Sequence, residues 1–167
     1  YKAQREETPE AIRFGVPIIK DLVKAYNIPI LEVEDYEADD VIGTLSAQAQ
    51  QKGIATYMIT PDKDYGQLVD THIFMLRPPA NGKGYETLGI EDIQKKYGIK
   101  RPAQVIDLLG LMGDTADNIP GCPGVGPKTA EKLIREFGSI ENLLENTDKL
   151  TCSLKNKIVG SYDQIKL

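Results

Sequence analysis

The chain has 167 residues, of which 41% are hydrophobic and 27% charged, a balance that excludes intrinsic disorder and allows a core without disulfide staples. Its net charge of −5 argues, taken alone, against a nucleic-acid partner. A single histidine, His72, and two cysteines far apart, Cys122 and Cys152, argue against a histidine-based zinc site and a disulfide framework and fit a reducing cytoplasm, and no apolar run approaches the roughly 18 residues a membrane helix needs, so no membrane partner is expected.

The first predicted element is a helix over 8–26, with Thr8 as its cap, Pro9 at its first position and apolar Ile12, Val16, Ile19 and Val23 at helical spacing. Pro17 should bend or split it. The run IPILEV (28–33) predicts a strand, and ADDVIGTLSAQAQQKG (38–53) a helix with acids in its first turn and Gly53 just past its end. IATYMIT (54–60) predicts a second strand, GQLVD a short helix or turn, HIFMLR (72–77) a third strand, and PPANGKG (78–84) a loop or hairpin tip. Strands separated by helices imply parallel pairing. From residue 90 the strand signal stops, and GIEDIQKKYG, PAQVIDLLGLMG, GPKTAEKLIREFG, SIENLLEN and SLKNKIVGSY read as short helices punctuated by Gly and Pro. The expected fold class is therefore α/β: a partial parallel sheet flanked by helices over 1–89, then an all-helical subdomain over 90–167.

Three acidic stretches stand out: YEADD (36–40), TPDKDYG (60–66) and GDTADN (113–118). Each has an ordinary explanation, since Asp and Glu cap helix amides, meet the positive end of the helix dipole and build turns. Their positions suggest more. Asp39 and Asp40 fall between a predicted strand and a helix, and Asp62 and Asp64 follow a strand, at the carboxyl edge where open α/β sheets place their sites. Converging carboxylates raise one another's pKa unless a cation holds them. With no His or Cys nearby, a hard ion such as Mg²⁺ or Mn²⁺ fits better than zinc. An EF-hand fails on spacing: counted from Asp62, its glycine position holds Gln67 and its closing glutamate position holds Ile73. A phosphatase with an aspartyl nucleophile would use the acid pair after a strand but leaves the other two stretches unexplained.

GCPGVGPKTAEKLIREFG (121–138) places Gly124, Val125 and Gly126 in a tight turn that opens a helix near Pro127. Outward-facing amides and a helix N-terminus make a phosphate cradle of the helix–hairpin–helix kind, with Lys128, Lys132 and Arg135 adding charge at helical spacing. A plain helical turn with a solvated charged face is the competing reading. A dinucleotide fingerprint would need a strand before the glycines, and MGDTADNIP is not one. Acids on a sheet edge with a phosphate hairpin beyond suggest a metal-dependent enzyme acting on a nucleic-acid backbone.

In that order, YKAQR…TPE, YEADD, TPDKD, GDTADNIPG and GVGPKTAEKLI…FGS resemble the structure-specific 5′-nucleases (flap endonucleases), nearest to the 5′→3′ exonuclease domain at the front of bacterial DNA polymerase I. The resemblance implies a PIN-like core and hydrolysis of DNA or primer-RNA phosphodiesters in replication and repair, with a DNA polymerase in the same parent chain. It places Glu37, Asp39, Asp40, Asp62, Asp64, Asp114 and Asp117 among the metal-binding acids for two Mg²⁺ or Mn²⁺ ions. It places Gly121, Gly124, Val125, Gly126, Lys128 and Thr129 in a duplex-binding motif that also takes K⁺. Tyr1, Lys2 and Arg5 fall on an arch threaded by the 5′ strand, with Lys2 and Arg5 at the scissile phosphate; read without the resemblance, they are a frayed terminus.

A start at Tyr1, inside that arch, implies that further metal-binding aspartates and the opening strands lie outside this sequence. Exposed apolar surface, free strand edges and self-association are then expected. As it stands the chain is expected to be either part of a nuclease or a duplex-DNA-binding module with an incomplete metal site. A related nuclease acting on RNA is disfavoured by the duplex-anchoring hairpin.

Overall fold

The computed structural model describes residues 7–79, 84–115 and 117–165. Helix α1 (Glu10–Ala25) is followed by an irregular stretch, α2 (Ala38–Gln51), strand β1 (Thr56–Ile59), a 3-10 turn (Lys63–Leu68), β2 (Ile73–Arg77) and β3 (Glu86–Leu88). The remainder is helical: α3 (Ile90–Tyr97), α4 (Val105–Met112), α5 (Pro127–Phe137), α6 (Ile140–Glu145), α7 (Cys152–Gly160) and α8 (Tyr162–Ile165).

The sheet is three-stranded and mixed, in the order β1-β2-β3. β1 and β2 are parallel, with Met58 opposite Met75, whereas β3 runs antiparallel to β2, with Leu88 opposite Met75. The expected parallel pairing therefore holds for β1 and β2 only. β3 is a three-residue strand whose pairing, more than its composition, makes it a strand.

Three other expectations are corrected. The cap of α1 is Pro9, not Thr8, and the helix runs through Pro17 as one element. Its solvent-exposed setting lets water satisfy the carbonyl that Pro17 leaves without a donor. Residues 28–33 form no strand; Ile28, Leu31 and Val33 lie exposed in irregular chain between Asn27 and Asp35, both at positive φ. An apolar, β-rich run becomes a strand only where a neighbour offers hydrogen bonds, and β1 gives its own to β2.

The core starts at Met58 and ends at Ile165; Met75, Ile93, Leu111, Ile134, Leu143 and Ile158 are among its most deeply buried side chains. β1 and β2 alternate inward Met58, Ile73 and Met75 with outward Tyr57 and Phe74, whose rings stack at 5.2 Å. α1 buries none of its residues although its apolar stripe is marked: Ile12, Phe14 and Ile19 are 55%, 74% and 60% exposed. α4 packs on α5, and α5 on α6, which fixes the loop between α4 and α5 beside the 3-10 turn.

Candidate metal centre and phosphate-binding hairpin

The first acidic stretch starts α2. Glu37 is the N-cap residue, and its N–H donates to the Asp40 carboxylate at 3.0 Å. One oxygen of Asp40 thus does the ordinary capping work that its position suggests. Asp39 and Asp40 also line a cavity of about 330 Å³ together with Gly43, Asp64, Tyr65, Gln67 and Leu68. Glu37 is exposed at the rim of this arrangement and is not part of the lining.

The second stretch leaves the carboxyl end of β1. The Asp62 N–H donates to Thr60 Oγ1 at 3.1 Å, and Asp62 Oδ1 accepts from the Asp64 N–H at 3.0 Å, closing the 3-10 turn. The turn buries Tyr65, whose hydroxyl donates to Asp39 Oδ1 at 2.9 Å and ties the second stretch to the first. Burial, and next the bond to Asp39, push the Tyr65 pKa far up, so the phenol stays a donor at any working pH.

The third stretch is held by a short bridge. Asp114 N–H donates to Ile119 C=O at 2.9 Å and Ile119 N–H to Asp114 C=O at 2.7 Å. Gly113 and Gly121, at φ +75° and +60°, let the two ends of this loop touch: a methyl on Gly121 would stand 2.3 Å from the Gly113 nitrogen. The loop delivers the Asp114 carboxylate to Lys63, Nζ to Oδ2 2.6 Å. This pair raises the Lys63 pKa.

Asp64 is the focus of the arrangement. Its Oδ1 is buried and accepts no hydrogen bond. Its pKa is raised first by burial, then by Asp62; Lys63 opposes this, while Asp114 and Asp117 add to it. The three stretches are thus close enough to feel one another. Among the described residues, however, no group of three His, Cys, Asp or Glu side chains stands close enough to hold a metal ion. The Lys63 ammonium supplies the positive charge at Asp114 instead. The donor set nonetheless suits a hard cation, because it is all oxygen and includes a buried carboxylate oxygen without a hydrogen bond, on a residue that lines the cavity with Asp39 and Asp40.

In the hairpin, Val125 is buried and its N–H closes a turn on Cys122 C=O at 3.0 Å. Gly124, at φ +76°, and Gly126 are exposed, and Gly126 caps α5 with Pro127 in first position. Lys128 is exposed and Thr129 half-buried on the first turn. Arg135 departs from the expectation that it serves this cradle: its guanidinium binds the Gly98 C=O and Glu131 at the far end of α5. Tyr1, Lys2 and Arg5 lie outside the described residues. Sequence reasoning passed over Tyr65 and Lys63, which stand inside the quoted TPDKDYG but reveal their partners only in three dimensions.

The family model described as the 5′-3′ exonuclease N-terminal resolvase-like domain matches residues 1–98, and that of the 5′-3′ exonuclease C-terminal SAM fold matches residues 100–167. The chain is 44% identical to DNA polymerase I of Bacillus caldotenax over 150 residues, 90% of this chain and 17% of that protein. It is 39% identical to the 5′-3′ exonuclease of Aquifex aeolicus over 171 residues, all of this chain and 57% of that one. The chain therefore spans a little over half of one relative and less than a fifth of the other. A structure of the bacteriophage T5 flap endonuclease, in a pseudo-enzyme–product complex with DNA and metal ions, shares the fold with a TM-score of 0.78 over 98% of this chain and 60% of that one, at 21% identity.

Proposed function

Because this chain belongs to the family of 5′-3′ exonucleases, we propose that it forms part of a structure-specific 5′-nuclease that hydrolyses DNA or primer-RNA phosphodiesters near a 5′ end in replication and repair. The polymerase I relatives support a DNA polymerase domain in the same parent polypeptide. The observation that carries the reading is Asp64, whose Oδ1 is buried and unpartnered and which lines a cavity with Asp39 and Asp40 in the field of Asp62, Asp114 and Asp117. Such a group is costly unless a cation completes it.

In this reading Glu37, Asp39, Asp40, Asp62, Asp64, Asp114 and Asp117 hold Mg²⁺ or Mn²⁺, directly or through water. When bound there, such ions supply Lewis-acid stabilisation of the charge on a phosphate being transferred. Tyr65 orients Asp39, and the Asp62 cap orients Asp64. Lys2 and Arg5 neutralise charge at the scissile phosphate and Tyr1 contacts the threaded strand, roles that rest on the resemblance. Gly121, Gly124, Val125, Gly126, Lys128 and Thr129 anchor the downstream duplex through its phosphates, with K⁺ as a further ligand of the hairpin. Asp64→Asn in the parent protein is expected to abolish cleavage of a 5′-flap duplex while sparing its binding. A variant that cuts normally would show the carboxylate assignment to be wrong.

A second reading has its own support. The Lys63–Asp114 pair, and the absence of a three-acid group among the described residues, favour a duplex-binding module that does not cut by itself. Incubating this chain with a 5′-flap duplex and Mg²⁺ separates the two: retention without cleavage favours the module, and product favours the nuclease.

A further inference from the structure

We propose that Gln104 and Arg135 are positioning residues for the cut: they lock the far end of α5 to the part of the fold that carries Asp64, and so set which phosphodiester of a bound strand the acids meet. This rests on the nuclease reading given above. The lock is built around Gly98, the residue at φ +64° that ends α3. Gln104 is only 3% exposed, and both ends of its amide are used. Its Oε1 accepts the Lys100 and Arg101 N–H groups at 2.9 and 3.0 Å, and its Nε2 donates to the C=O of Gly138, which ends α5, at 2.7 Å. Arg135, on the last turn of α5, closes the joint from the other side. Its Nε and Nη2 donate to the Gly98 C=O, both at 3.3 Å, and Nη2 also donates to Glu131 at 2.8 Å. Glu131 lies so close over Gly98 that a methyl there would stand 2.2 Å from its Oε1.

The joint touches both sites through rigid elements. The short 3-10 turn Pro102–Gln104 packs directly against the Lys63–Leu68 turn, so Gln104 stands on the support of Asp64 and Tyr65. The packing is close: a methyl on Gly66 would meet Ile93 and Val105 at 3.6 Å. The opposite end of α5 is the hairpin, with Gly126 as its cap. The bonds named here go to the joint and not to the acids or the hairpin, so the pair acts through α5. Its apolar contacts with α4 and α6 hold the helix in place but are non-directional, whereas bonds to the Gly98 and Gly138 carbonyls fix its tilt. The helix has 11 residues, about 16 Å of length. A tilt of about 12° then displaces one end against the other by about 3.4 Å, the rise of one nucleotide along a strand.

Cleavage of a 5′-labelled flap duplex by the parent protein, resolved to single nucleotides, tests the proposal with Q104L and R135M. The parent protein is expected to give one dominant product. Each variant should spread the product over neighbouring nucleotides and lower kcat about three- to tenfold, with duplex Kd unchanged within about twofold. R135M alters a side chain that is 60% exposed, and it tests the proposal even if Q104L does not fold. I158V, a core change on α7, supplies a protein of lowered melting temperature whose product pattern should stay sharp. Variants that cut as sharply as the parent protein, at the same nucleotide, would overturn the lock and leave the nuclease reading standing. Equal broadening in I158V would also overturn it, because lost stability alone would then set the spread. A parent protein that cuts no flap would overturn the nuclease reading and the proposal with it.

Discussion

Replacing Lys63 by Met removes an ammonium that the structure holds 2.6 Å from Asp114 Oδ2. The lysine side chain is 47% exposed and the aspartate 10%, so the pair sits between a surface ion pair, worth about 0.2–1 kcal/mol, and a buried one, whose breakage costs about 3–5 kcal/mol. A loss of about 1–2 kcal/mol follows, most of it from an Asp114 carboxylate that has lost this ammonium while still in the field of Asp64. For a chain of this length each kcal/mol lowers the melting temperature by about 2–4 °C. In EDTA, calorimetry should therefore find K63M melting roughly 2–8 °C below the parent chain. Under saturating Mn²⁺ the order should close or reverse, because a divalent ion no longer has to displace the ammonium, and titration calorimetry should read tighter Mn²⁺ binding. A melting deficit that is the same in EDTA and in Mn²⁺, with Mn²⁺ affinity unchanged, would refute the view that ammonium and metal compete for one place.

The raised Asp64 pKa makes metal-free stability pH-dependent in a definite sense. A carboxyl that ionises less readily when folded stabilises the fold while protonated, and that contribution is lost as pH rises from the ordinary carboxylate range through the higher folded value. Asp64→Asn should abolish this fall and melt above the parent chain at neutral pH in EDTA, and the same variant should gain less from Mn²⁺; melting curves between pH 4 and 8 check both, and a parent curve that rises with pH across that window counts against the burial argument. Tyr65→Phe removes the donor to Asp39 Oδ1 in a partly buried setting and should cost about 1 kcal/mol in urea unfolding, together with weaker Mn²⁺ binding, whereas an unchanged midpoint would mean that the bond carries nothing.

Periodicity and punctuation made much of the fold legible. The 38–53 run, with acids at its start and Gly53 at φ +69° past its end, forms α2, and the Pro127 start of α5 follows the glycines as expected. What escaped was decided by partners distant in sequence. IPILEV has the composition of a strand but pairs with no strand among the described residues, while the short run at Glu86–Leu88 becomes a strand because β2 is there to receive it. The apolar stripe of α1 was equally readable, but periodicity says which face would be buried and not whether anything lies against it.

The acids show the same division within single side chains. The ordinary explanation, that Asp and Glu finish helices and turns, is true of Asp40, which takes the Glu37 N–H, and of Asp62, which takes the Asp64 N–H. It cannot extend to Asp64, whose Oδ1 is buried and takes nothing. Capping lowers the energy of a carboxylate, whereas burial beside Asp62 raises that of Asp64, so local structure gains nothing from an acid at that position. Asparagine would fill the same space without the charge. An aspartate there is a cost to the fold, and a cation bound between the stretches is what would offset it.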